Sequence, residues 1–340
     1  MGIGKEYDIN IGNMKKGKRN LITDVNGVKV GHLTLDSGNI KTGVTAILPH
    51  DGNIFKEKLL AGASVINGFG KSIGLVQIEE LGTLETPIIL TNTLSVGTCA
   101  TGLIRYMLEN DDDIGVTTGT INPVVMECND GYLNDIRGLH VKEKHVIDAI
   151  NNASKDFKEG ALGAGTGMSC YHFKGGIGSS SRVLELDNKE YVVGSLVLSN
   201  FGLKKDFILD GQKIGAKVCD LESNDTEKGS IIIVIATDIP LSERQLKRIS
   251  KRASVALART GSYLGNGSGD IAIAFTTANK VPHYSCEDIM NIKAIHEEKI
   301  DLAFRAVAES VEESILSSML HADTTVGRDE NSRKSLKEYL

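Results

Sequence analysis

Apolar and polar positions along this chain fall into two rhythms, one of strands and one of helices. Ile231 to Ala236 is an apolar, mostly β-branched run, too short and too branched for a helix, and predicts a fully buried strand. Thr42 to Leu48, ending at Pro49, and Thr86 to Thr93 predict two more strands, and Ile271 to Phe275 a fourth. Arg182 to Leu186 and Tyr191 to Leu198 flank the polar turn Asp187-Asn188-Lys189 and predict an antiparallel pair. Asn26-Gly27 between apolar runs predicts a hairpin. Helical spacing appears over Ser95 to Leu108, with Leu103, Ile104 and Met107 on one face, and over His145 to Ala153. Ser242 with Gln245 forms a capping-box pattern, and Leu246, Ile249, Ala253 and Ala256 continue that helix to Gly261. Residues 286–320 predict a long helical stretch, and Gly265 to Asp270 a glycine-rich turn. Strands and helices do not alternate as βαβ units. The pattern argues for layered sheets covered by helices, not a doubly wound parallel sheet.

The 340 residues suffice for one large domain or two ordinary ones, and no low-complexity linker divides them. The 41% apolar and 24% charged content and the net charge of −6 describe a globular chain without the basic face of a nucleic-acid binder. Lys15, Lys16, Lys18 and Arg19 read as a solvated, mobile lead-in. Cys99, Cys128, Cys170, Cys219 and Cys286 are scattered, without a C-x-x-C pair, so neither a disulfide framework nor structural zinc is expected. A reducing, cytoplasmic setting fits that usage. The first twenty residues carry no apolar signal region, the myristoylation pattern fails at Glu6, and no apolar stretch is long enough to span a membrane.

The candidate chemistry starts at Gly229-Ser230, directly before the Ile231 run. Glycine lets the preceding carbonyl be approached closely. Attack of Ser230 on it would cut the chain and leave Ser230 as an N-terminus bearing both a nucleophile and an α-amine of pKa about 7.7–8.0, a base near neutrality. Four other positions carry complementary groups. Ser268 and Asp270 place a hydroxyl and a carboxylate two residues apart, suited to proton relay. Asn200 at a strand end can donate its amide to a developing oxyanion. Glu127, where an apolar run meets a turn, can hold a substrate ammonium. Each alone reads more readily as turn chemistry. Gly163-Ala164-Gly165-Thr166-Gly167 lacks the preceding strand and following helix of a dinucleotide site and reads as a turn or pocket wall. The histidines give no H-E-x-x-H pattern and no i, i+4 pair, so no metal site is expected; His172 falls in the same pocket region without a role.

Taken in order, these blocks resemble the DmpA-like family, the L-aminopeptidase/D-esterases and β-peptidyl aminopeptidases. The resemblance rests on Ile22-Thr23-Asp24-Val25, Gly27 to His32, Thr42 to Thr45, Asn67 to Gly70, Thr91-Asn92-Thr93, Asn129 to Asp135, Gly163 to Met168, Phe173 to Gly178, and Gly229-Ser230 through Phe275. It implies an α/β fold, a four-layer αββα sandwich similar to N-terminal-nucleophile hydrolases but differently connected. It implies one self-processing domain over 1–340, cut into 1–229 and 230–340, with Ser230 as nucleophile, Ser268 and Asp270 as its support, Asn200 on the oxyanion side and Glu127 at the substrate amine. The base is either the α-amine or the Ser268/Asp270 pair. Some members carry a tyrosine two residues after that glutamate, where this chain has Asn129. The implied activity is release of N-terminal residues from small peptides, amides or esters with a free amine, without a cofactor, by a homo-oligomer of cleaved pairs. The alternatives are an acyltransferase of the ornithine acetyltransferase type, which uses threonine in place of Ser230, and an uncut, non-catalytic binding protein.

Overall fold

The run at 231–236 forms the middle of a six-stranded sheet in the computed structural model, which describes residues 7, 9–218 and 226–340. Cys219 lies outside the described residues, as does the N-terminal Met-Gly. In chain order, β1 (Lys29–Ser37) and β2 (Ile40–Leu48) form a hairpin, and β3 (Glu57–Gly68), α1 (Leu75–Leu81) and the short β4 (Thr83–Leu84) follow. Next come β5 (Ile88–Asn92), α2 (Val96–Asn110), β6 (Val124–Cys128) and α3 (Glu143–Asn151). The two-residue strands β7 (Ser169–Cys170) and β8 (Phe173–Lys174) precede the long β9 (Gly176–Leu186) and β10 (Lys189–Asn200). The chain continues through α4 (Ile214–Val218), β11 (Lys228–Thr237), α5 (Glu243–Ser250), α6 (Ala253–Arg259), β12 (Gly267–Pro282) and α7 (Ile300–Leu320), and ends with the paired β13 (Thr325–Val326) and β14 (Ser332–Arg333).

One sheet has the order β1-β2-β5-β6 and the other β4-β3-β12-β11-β10-β9. Alternation along β11 shows how they stack. Ile232, Val234 and Ala236 pack toward the first sheet, in a core shared with α2 and α3. Ile231, Ile233 and Ile235 pack toward α5, α6 and α7. Helices, sheet, sheet and helices therefore form four layers, the expected αββα sandwich. Neighbours in the large sheet pair antiparallel except β11 with β12, which run parallel because α5 and α6 supply the crossover between them. Among the described residues no helix is long and apolar enough to cross a membrane.

Several local expectations are corrected. Asn26-Gly27 joins a 3-10 turn (Ile22–Asp24) to β1, and the tight hairpin turn is instead Gly38-Asn39, between Ser37 and Ile40. The helix after Ser242 keeps its capping box, with Ser242 Oγ accepting from the Gln245 N–H at 3.3 Å, but it breaks at Lys251-Arg252 into α5 and α6. The long C-terminal helix begins only at Ile300. Before it, the Asn279 and Gln245 side-chain amides take up the backbone groups of Lys293 and Ile295, so that segment is satisfied without a helix. The basic lead-in is tied down. Lys16 Nζ reaches the buried Glu313 at 2.8 Å, and Arg19 Nε reaches Asp156 at 2.8 Å. Glu309 and Glu313 are buried on α7 and require cations, which the fully buried Arg182 (3.2 and 2.7 Å) and Lys16 provide.

Candidate active site

Ser230 lies third in β11, between Asn200 on β10 and Gly269 on β12. Its Oγ accepts a hydrogen bond from the Gly269 N–H at 3.2 Å. Two glycines make this packing possible. Gly229 has φ +131, and a Cβ there would sit 2.2 Å from the Asn200 carbonyl oxygen; a Cβ on Gly269 would stand 3.0 Å from Ser230 Oγ. The ladder puts the Ser230 side chain on the face of Ile232, toward the other sheet, with Asn200 as its direct cross-strand neighbour.

The predicted turn closes from the Gly265 carbonyl to the Ser268 N–H at 2.9 Å, and because β12 begins at Gly267, Ser268 and Asp270 both belong to the strand. Two residues apart on a strand, they share a face, and Ser268 Oγ donates to Asp270 Oδ1 at 2.5 Å. Ser268 is paired with Gly229 and Asp270 with Ile231, so the pair faces away from Ser230 Oγ and stands beside the Gly229–Ser230 peptide. Both are buried, and among the described residues Asp270 Oδ2 has no hydrogen-bond partner. Burial pushes the Asp270 carboxyl up to about 6; the nearby Glu227 carboxylate adds to the rise, while the Ser268 hydroxyl and the Ile231 N–H oppose it. Glu227, unread in the sequence, is itself buried, accepting from Ser262 Oγ at 2.5 Å and the Tyr263 N–H at 3.1 Å.

An Asp whose folded value exceeds its unfolded value of 3.8 destabilises the fold when ionised. The penalty is absent below about pH 4, grows through pH 4–6 and is complete above about 6. In an uncut background, replacing Asp270 with Asn is expected to stabilise the protein by about 2–3 kcal/mol at pH 8 and by nothing below about pH 4, as read from denaturant midpoints.

Asn200 is held at both ends of its amide. Oδ1 accepts from the Ser169 N–H at 2.8 Å, and Nδ2 donates to the Asn129 carbonyl at 2.9 Å. The glycine block 163–167 lies just before Ser169 in the chain. Its N–H groups go to Thr34 and Thr45 hydroxyls, and the Gly165 and Met168 carbonyls receive the buried Lys174 ammonium at 3.0 and 2.8 Å. A loop that turns carbonyls toward a lysine is no phosphate cradle. Burial lowers the Lys174 amine to about 7, against which the Asp130 and Asp36 carboxylates act.

Glu127 is the penultimate residue of β6 and is 2% exposed. Its Oε1 accepts from the Lys71 N–H at 2.8 Å and its Oε2 from the Thr93 hydroxyl. Among the described residues no lysine or arginine pairs with it. Asn129, at the position of the family tyrosine, turns its Oδ1 to the Gly131 N–H at 2.9 Å. Ser230, Asn200, Glu127, Asn129 and His172 all line one cleft of about 820 Å³, within the size range of small-molecule sites. Ser268 and Asp270 stand behind it. The sequence reading missed Thr93, Ser169, Tyr132, Arg328 and Arg333. Thr93 and Tyr132 lay inside blocks already noted, whereas nothing near the chain's end signalled the arginines.

The family model for peptidase family S58 matches residues 20–333. A β-peptidyl aminopeptidase of Sphingosinicella microcystinivorans is 38% identical, over 92% of this chain and 84% of its own. A crystal structure of a protein from Pyrococcus horikoshii is 56% identical with TM-score 0.94, over 98% of this chain and 95% of its own. The L-aminopeptidase D-Ala-esterase/amidase of Ochrobactrum anthropi, described as a variant of the Ntn hydrolase fold, is 35% identical with TM-score 0.90, over 97% and 95%.

Proposed function

The chain belongs to peptidase family S58, and we propose that it cuts itself between Gly229 and Ser230 and works through the Ser230 so freed. It is a serine-type hydrolase with aminopeptidase activity. The activities named for its relatives share a free amino group close to a small acyl carbonyl, and that shared chemistry defines the substrates: small peptides, amides or esters with an unblocked amine. The observation that carries this reading is the Glu127 carboxylate, buried without a cation in the cleft that holds Ser230 Oγ. A substrate ammonium supplies the missing charge, and a blocked amine cannot.

In processing, Ser230 Oγ attacks the Gly229 carbonyl carbon, and the peptide C–N bond breaks as the nitrogen takes up the proton. Water then hydrolyses the ester, leaving a Gly229 carboxylate and the Ser230 α-amine. In turnover the α-amine accepts the Oγ proton as Oγ attacks the bound carbonyl. Ser268 and Asp270 hold that amine; their register beside the 229–230 peptide, and not beside Oγ, supports this division of roles. The Asn200 amide and a backbone N–H face the oxyanion, the amine or alcohol leaves with the proton from the α-ammonium, and water, deprotonated by the freed α-amine, releases the acyl group and returns the proton to Oγ. On this reading Asn200→Ala lowers kcat by about 10²–10³ with little change in KM, in a steady-state assay. The cut pairs associate as a homo-oligomer, and the site of action is cytoplasmic.

The test pairs an alanyl p-nitroanilide with its N-acetyl derivative, and a β-alanyl pair in parallel. The free amine is expected to be favoured by about 100-fold or more in kcat/KM. Equal rates would remove Glu127 from the substrate site.

A further inference from the structure

The cleft holds more charge than the reaction above uses. Lys71, Arg137, Lys228, Arg328 and Arg333 line it, against Glu127 as the one acid among its described lining residues. Several arginines outside the cleft are matched with carboxylates, as Arg182, Arg244 and Arg259 are. Among the described residues Lys71, Arg137, Lys228 and Arg333 have no carboxylate within 4.0 Å. We propose that Arg333, together with Arg328, receives a substrate carboxylate, so that preferred substrates carry an anionic group as well as the free amine that Glu127 binds. This rests on the aminopeptidase reading of the site.

Arg333 is built as a receptor and not as a mobile surface charge. Its guanidinium lies 3.5 Å above the Tyr132 ring. Nε donates to Ser169 Oγ at 3.2 Å and Nη1 to the Ser332 carbonyl at 3.4 Å, so the fork is fixed by neutral groups. Ser169 is the residue whose N–H orients Asn200, which links the fork to the cleft floor. Partial burial without a counter-ion lowers its pKa, a desolvation that a bound carboxylate would offset. Arg328 Nε is also buried and, among the described residues, without a hydrogen-bond partner; the Asp329 carboxylate is 3.7 Å away. Both arginines ride on the β13–β14 hairpin. Asp329 and Glu330 form its left-handed turn (φ 53 and 59), and the Arg328 N–H and Asn331 Nδ2 fasten it to the Leu133 and Tyr132 carbonyls. A guanidinium held in this way presents the bidentate geometry that suits a carboxylate, and Arg328 lines the same cleft.

The carboxylate has two possible sources, a peptide C-terminus or an acidic side chain. Three probes separate them: Ala-Gly, Ala-Gly amide and Ala-Asp amide, with the β-alanyl series alongside. Wild-type kcat/KM is expected to favour Ala-Gly over its amide by about tenfold or more, mainly through KM. If Ala-Asp amide matches Ala-Gly, a side-chain carboxylate is also received; if it follows Ala-Gly amide, the C-terminus is the ligand. In Arg333→Gln the preference is expected to shrink to within about twofold, and Arg333→Lys, which keeps the charge and loses the fork, to restore part of it. An acid-to-amide ratio near one in wild type, or the same ratio in wild type and Arg333→Gln, overturns the carboxylate assignment alone. Turnover of none of the three probes in either series overturns the aminopeptidase reading along with it.

Discussion

Ser230→Ala protein is expected to remain one chain of 340 residues and to turn over no aminoacyl substrate. The two losses have one cause. The Oγ that attacks the Gly229 carbonyl in processing is the Oγ that attacks the substrate carbonyl in turnover. Removing a serine nucleophile costs on the order of 10⁶ in kcat where it has been measured, which here means background hydrolysis. The fold survives, because the only described hydrogen bond of Oγ is the one from the Gly269 N–H, worth about 1 kcal/mol. Mass spectrometry and a p-nitroanilide assay read the two losses separately. An alanine variant that is cut, or that is uncut and active, contradicts the scheme.

The second large effect belongs to Glu127. Glu127→Gln keeps an oxygen for the Lys71 N–H and a polar neighbour for the Thr93 hydroxyl, so the shape of the site is retained while the charge is removed. Leaving a buried ammonium unpaired costs about 2–5 kcal/mol, and kcat/KM for free-amine substrates is expected to fall by about 10²–10³. The N-acetylated derivative gains nothing from that charge and loses nothing with it, so discrimination between the two nearly vanishes. Cutting at Gly229–Ser230 continues, because the chain's own scissile bond brings no ammonium to Glu127. A variant that keeps the wild-type preference for free amines would show that the ammonium is bound elsewhere.

The layered architecture was legible because the signals that specify it are local. The β-branched run at 231–236 alternates between two cores, and the capping box at Ser242 is a property of four consecutive residues. Asn200 and Glu127 were legible as polar groups at strand ends, which is where the sheets open onto the cleft. Glycine signals misled in both directions. Asn26-Gly27 suggested a hairpin where a 3-10 turn precedes a single strand, and Gly265 to Asp270 suggested a turn throughout, where the turn closes at Ser268 and β12 has begun at Gly267. In the second case the glycines answer to crowding from Phe69, Ser230 and Glu227, none of them near in sequence. The arginines of the cleft wall were illegible for the same reason. Arg333 acquires meaning only when the C-terminal hairpin docks on Tyr132 and Leu133, two hundred positions upstream, a partnership no local pattern records.

The measurement that bears most directly on the central claim is the intact mass of the purified protein under denaturing conditions. The account predicts two species, residues 1–229 and 230–340, with Ser230 as the new N-terminus. A single full-length species that nevertheless hydrolyses aminoacyl substrates would contradict it, since Ser230 would then act without the α-amine assigned as its base.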